Sequence, residues 1–286
     1  MGHRPANLAG VPARFGGSPA RRGGAQRDRQ RGLGGEQVEG RRSVLELLAA
    51  GRRRVREVWI AQDSEPSRQL DEIERLAARR RAKVLMVGRR RLDAAARTGS
   101  PQGVLAFAEA LEEGSLEEMC DPVRGAAPFL VVLDGVSDPH NLGAILRSAE
   151  CAGVTGMVLP RHRAAHVTPT VTKVAAGAIE HVPMAVVPGV PNALKRLSDR
   201  GVLCIGLDAA AQTSLFELGE DLCGAVALVL GAEGGGIGSL SRRRCDLLVA
   251  IPRQGELESL NVAAAAAVAC FETARRRSES TPATLP

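Results

Sequence analysis

The chain has 286 residues, 44% of them apolar, and a net charge of +6, a basic balance that favours nucleic acid or another polyanion as partner. Aromatic residues make up only 2%, with no tyrosine, which argues against single-strand binding by base stacking and favours backbone and shape contacts. The six cysteines form no CxxC pair, so zinc and thioredoxin-like patterns are unsupported, and no apolar run is long enough to span a membrane.

Residues 1–35 are rich in Gly, Arg and Pro and predict a disordered tail, whose arginines could add non-specific RNA affinity through counterion release; a solvated tail with no role is the alternative. Residues 36–109 predict a compact α/β unit. Val44, Leu45, Leu47 and Leu48 mark a helix ended by Gly51, and Leu70, Ile73, Leu76 and Ala77 form the stripe of a second. A third, short helix is expected from Leu92 to Arg97, and strands at 55–61, 83–87 and 103–108. Arginine triplets at 52–54, 79–81 and 89–91 suggest an RNA-facing surface. Residues 110–127 turn acidic and then Pro/Gly-containing, as a linker would.

From 128 to 277 strands alternate with helices, which predicts an α/β domain with a mainly parallel sheet. Strands are expected at 129–133, 155–159, 183–187, 202–207, 225–230 and 247–251, and helices at 141–152, 169–180, 192–200 and 260–276. The helix after residue 260 is apolar over most of its circumference, which suits a core or a subunit interface. Residues 278–286 are expected to be a second disordered tail. No secretory signal segment is evident, and the cysteines read as small core residues in a reducing cytoplasm.

Three stretches bear candidate chemistry. In the first, Leu133 to Gly153, a buried strand leads into a helix for which Asn141 is the expected N-cap. Arg147 lies three and four residues beyond Ala144 and Gly143, so its guanidinium should point back towards the positive end of that helix. A cation there is disfavoured by up to about 1 kcal/mol and calls for an anion. A surface pair with Glu150 is the alternative. In the second, a buried strand runs into Gly231-Ala232-Glu233-Gly234-Gly235-Gly236. Glycines permit close approach of backbone to a ligand. Glu233 would repel a pyrophosphate, so a phosphate-free or positively charged cofactor such as S-adenosylmethionine fits better, and a plain tight turn is the alternative. In the third, a strand ends at Ile251 and a helix begins near Asn261, with Ser259 or Asn261 as its cap.

Together the stretches DPHNLGAILRSAECAGV, LVLGAEGGGI and IPRQGELESLNVAAAAAV resemble the three motifs of the SpoU (TrmH-like) RNA 2'-O-ribose methyltransferases of the SPOUT superfamily. VEGRRSVLELLAAG and PQGVLAFAE resemble that family's ribosomal-protein-L30e-like substrate-binding domain. The resemblance implies an α/β trefoil-knot methyltransferase domain preceded by a small L30e-like α/β domain. It further implies S-adenosylmethionine held by backbone groups at Gly231, Ile251 and Leu260, a homodimer, and methyl transfer to RNA. A guanosine of the 23S rRNA peptidyl-transferase loop is the expected target. Another rRNA site, a tRNA, or a non-catalytic role in ribosome assembly are the alternatives. By position, Arg147 matches the family's catalytic arginine. Asn141, Glu233, Ser259 and Asn261 would position the reacting groups. Gly235 and Ala263 depart from the Lys and Ser that many members carry there.

Overall fold

The computed structural model describes Met1 and residues 33–280, apart from 124, 163 and 258. The tails expected at 1–35 and 278–286 lie largely outside these residues. Their inner ends belong to the fold: Leu33 is buried, Gly34 bridges Val167, and the final helix runs to Ser280.

The first part of the chain forms β1 (Gln37–Glu39), α1 (Arg41–Ala50), β2 (Val55–Ala61), α2 (Arg68–Arg79), β3 (Lys83–Val87), α3 (Arg89–Ala95) and β4 (Val104–Ala108). The sheet order is β1-β4-β2-β3, parallel only between β2 and β3. The predicted stripe of α2 is the face that is buried, and Ser67 caps the helix by accepting from the Leu70 amide. On the opposite face α3 covers Ala61, Val87 and Leu105. β1 was not expected, because Gln37 and Glu39 look like surface residues. Glu39 is fully buried, and its carboxylate accepts from the Arg97 and Thr98 amides, the Thr98 hydroxyl and the Gln37 amide.

The second part contains β5 (Phe129–Asp134), α4 (Pro139–Cys151), β6 (Gly156–Pro160), α5 (Pro169–Val174), β7 (Met184–Val187) and α6 (Val190–Ser198). It continues with β8 (Leu203–Leu207), β9 (Thr213–Ser214), β10 (Val226–Gly231), α7 (Ser239–Arg242), β11 (Leu247–Ala250) and α8 (Val262–Ser280). These strands form one sheet in the order β7-β6-β5-β10-β8-β11-β9, with every pair parallel. Strand alternation divides the core. Phe129, Val131 and Leu133 face Leu142, Ile145 and Leu146 of α4 and Ala266 and Ala269 of α8. Leu130 and Val132 face Ala193, Leu194 and Leu197 of α6. A sheet covered on both faces explains why β5 and β10 read as unbroken apolar runs.

Two local expectations are corrected. The helix expected over 169–180 stops at Val174. Ala176 and Gly177 take positive φ, and a short 3₁₀ turn covers Ala178–Glu180. A Cβ at Gly177 would sit 2.3 Å from the Glu46 Cβ, so the break lets α1 approach this turn. Residues 111–119 of the expected linker are packed against the fold. The Leu111 amide donates to Gly34 O, the Gly114 amide to Met184 O, and Leu116 and Met119 are buried beneath α6.

The two sheets are joined by polar contacts. The Ser43 hydroxyl donates to Thr172 O at 3.0 Å. Arg53 donates from Nη2 and Nε to the two oxygens of Glu180, at 2.6 and 3.1 Å, and from Nη1 to Gly35 O and Glu109 O.

Candidate active site

The helix after β5 begins one turn earlier than the motif suggested. Asp138 is its N-cap, accepting from the His140 amide at 2.9 Å, and Pro139 occupies the first helical position. An acidic cap followed by proline is the stronger start signal. Asn141 is thereby released from capping, and its side chain turns inward, only 7% exposed. Its Nδ2 donates to Glu233 Oε1 at 2.7 Å, and its Oδ1 accepts from Asn261 Nδ2 at 3.1 Å. Asn261 Nδ2 also donates to Glu233 Oε1, at 2.8 Å. Asn261 Oδ1 accepts from the amides of Ala263 and Ala264, so of the two candidate caps for α8 Asn261 is the one used. Three residues far apart in sequence thus form one network around a carboxylate.

Glu233 owes its position to the loop that follows β10. The Ala232 and Gly236 backbones pair in both directions, at 3.0 and 2.9 Å, folding the loop back over Gly231. A Cβ on Gly231 would lie 1.9 Å from the Gly236 carbonyl carbon, so no other residue fits there. Beside the loop lies a cavity of about 520 Å³ at the carboxyl ends of β8, β10 and β11, where ligands of parallel α/β sheets bind. It is lined by Gly231, Ile251 and Leu260, the three positions expected to hold a cofactor, and by Glu233 and Ser259.

Arg147 stands apart from this network. It is exposed on α4, does not line the cavity, and makes no hydrogen bond or ion pair among the described residues; the alternative pair with Glu150 does not form. Sequence reasoning missed two charged cavity residues, Asp208 and Arg242, and gave no role to a third, Arg253, which lies in the third motif. Asp208 follows directly on β8, and that place at a strand's carboxyl end was the available signal. Arg242 Nε lies 2.8 Å from Asp208 Oδ2, and Arg253 donates to Leu257 O and Ala209 O.

The cavity suits S-adenosylmethionine. Its size is within the range of small-molecule sites. Gly231 admits the tightly folded loop whose backbone forms one wall, and Glu233 makes the site hostile to phosphate while tolerating a sulfonium. Among the described residues no group of His, Cys, Asp and Glu is arranged to hold a metal ion.

The chain belongs to the SpoU rRNA methylase family, whose model matches residues 128–271; a second model, for RNA 2'-O ribose methyltransferase substrate binding, matches residues 37–114. It is 38% identical over 246 residues to the 23S rRNA (guanosine-2'-O-)-methyltransferase RlmB of Pseudomonas putida, covering 85% of this chain and 97% of that protein. It is 41% identical over 243 residues to the protein of the same name from Xylella fastidiosa, covering 84% and 96%. Among solved structures, the SpoU methyltransferase AviRb of Streptomyces viridochromogenes, in complex with AdoMet, matches with a TM-score of 0.71 at 26% identity, covering 85% of this chain and 91% of that one. The protein is an RNA 2'-O-ribose methyltransferase with S-adenosylmethionine as methyl donor.

Proposed function

We propose that the chain methylates the ribose 2'-hydroxyl of a guanosine in 23S rRNA, in the peptidyl-transferase loop, as a cytoplasmic homodimer. The observation that carries the reading is near-full-length similarity to two proteins named for that guanosine chemistry. In this reading residues 36–109 present the RNA and residues 128–277 transfer the methyl group, with the trefoil knot formed by the segments around the cavity. Exposed Phe271 on α8 and exposed Leu260 beside the cavity support a second copy packing there.

When bound, S-adenosylmethionine supplies an electrophilic methyl carbon on a sulfonium. The residues of the chain must orient the 2'-oxygen and manage the proton it loses. A guanidinium remains protonated in proteins, so Arg147 acts by charge. It binds an RNA phosphate and stabilises the alkoxide as it develops, while the proton leaves through phosphate or water. Arg147 has no ion-pair partner among the described residues, which leaves it available for that anion. Asn141 and Asn261 hold Glu233 in one orientation by donating two side-chain N–H hydrogen bonds to a single carboxylate oxygen. The carboxylate then balances positive charge at the cavity mouth, and Ser259 positions the ribose beside it.

Arg147→Ala tests the assignment, with tritiated methyl transfer to a 23S rRNA fragment measured beside calorimetric binding of S-adenosylhomocysteine. Turnover is expected to fall by about a hundredfold or more with cofactor affinity retained. Unchanged turnover refutes the role. Mapping ribose methylation in rRNA from a strain lacking the gene tests the target nucleotide.

A further inference from the structure

Two acidic and two basic side chains are among the described residues lining the cavity, and they differ in how firmly they are held. Glu233 accepts two asparagine amides on one oxygen. Arg253 is engaged with the carbonyls of Leu257 and Ala209. Asp208 and Arg242 are bound chiefly to each other, at 2.8 Å, with side-chain exposures of 20% and 47%. Asp208 uses its other oxygen to accept from the Ala210 amide. An ion pair this accessible adds little to stability, so opening it costs little. The Arg53–Glu180 pair, with exposures of 6% and 1%, is far more buried and is held by two hydrogen bonds.

An acid and a base side by side on a cavity wall are the complement of a zwitterion. Each can exchange its protein partner for a ligand group of the same charge, leaving no charge unpaired. The α-amino-acid end of S-adenosylmethionine is such a group, with an ammonium and a carboxylate on one carbon. We propose that Asp208 and Arg242 form the subsite for this end of the cofactor, Arg242 taking the carboxylate and Asp208 the ammonium. The adenosine is left to the backbone at Gly231, Ile251 and Leu260. The proposal rests on the cavity being the cofactor site. It assigns a specific task to two residues outside the three motifs that carry the family resemblance.

Two ligands separate the proposal from the reading beneath it. S-adenosylhomocysteine carries the amino-acid end, and 5'-methylthioadenosine lacks it but keeps the adenosine. Calorimetry on the full chain should give tighter binding of the first. Asp208→Asn removes the charge and keeps an oxygen for the Ala210 amide, and Arg242→Met keeps much of the chain length without the cation. Each is expected to weaken S-adenosylhomocysteine roughly ten- to a hundredfold and to leave 5'-methylthioadenosine within about twofold. Arg242→Lys should fall between Arg242→Met and the unaltered chain, which keeps the test decisive if Arg242→Met melts early. If both ligands weaken equally, the pair shapes the cavity or contacts the ribose, and the proposal is overturned. It is overturned as well if neither ligand weakens, or if the unaltered chain binds both equally, with the cofactor cavity still standing. Binding of neither ligand by the unaltered chain would overturn the cavity assignment itself.

Discussion

Arg53 offers the sharpest test of how the four-stranded and seven-stranded sheets are held together. Arg53→Ala would leave the Glu180 carboxylate, whose side chain is 1% exposed, without its partner. Removing one member of a buried ion pair costs about 3–5 kcal/mol. Loss of the donor to Gly35 O and Glu109 O adds up to about 1 kcal/mol for each carbonyl. Against a total stability of about 5–15 kcal/mol, the variant gives up roughly a fifth or more. With a urea dependence of about 3 kcal/mol per molar, the unfolding midpoint should drop by about 1 M or more. The double variant Arg53→Met with Glu180→Leu strands no charge, so it should recover at least about 2 kcal/mol relative to Arg53→Ala. A midpoint shift below about 0.3 M for Arg53→Ala, or a double variant weaker than the single, would refute the reasoning.

Three further outcomes are expected. Asn261→Asp keeps the oxygen that caps α8 but loses the amide donor and sets a second carboxylate against Glu233, so melting should stay near that of the unaltered chain while methyl transfer falls by about tenfold or more; full activity would remove the network from the mechanism. Arg277 donates to Leu222, Ala127, Pro128 and Gly224 carbonyls and lies 4.8 Å from the Phe129 ring centroid, and burial pulls its pKa below the usual value. Arg277→Ala should therefore lower the melting temperature by roughly 5–10 °C in a scanning experiment. Burial pushes the Cys204 and Cys270 thiols up to about 12, so both should resist iodoacetamide at pH 8 until the chain unfolds. Their neutral forms cost nothing below the ordinary thiol range. Stability should fall as pH rises from about 9 towards 12, read as a lower urea midpoint at pH 10 than at pH 8.

What the sequence revealed follows from where each signal resides. β5 and β10 were legible because burial on both faces demands continuous apolar residues. α2 was legible because one stripe packs and the rest is solvated. β1 was not, because the partners that let Glu39 be buried lie near Thr98, far along the chain. The start of α4 was misplaced because Asn141 and Asp138 both carry a local cap signal, and only packing shows that Asn141 is wanted elsewhere. The break after Val174 reflects the approach of α1, which no periodicity within 169–180 encodes. Asn141, Glu233 and Asn261 could be named from their motifs, but their meeting on a single oxygen is tertiary. Asp208 and Arg242 fell outside the motifs, and only the cavity brings them into view.

Asn261 has a consequence for how the enzyme fails. Helix ends are the first parts of a helix to fray. At α8 the fraying end is fastened by the same amide that steadies Glu233. Fraying of this turn on warming would loosen the Asn141–Glu233–Asn261 network while both sheets remain intact, and in the proposed mechanism methylation would then stop below the temperature at which the protein unfolds.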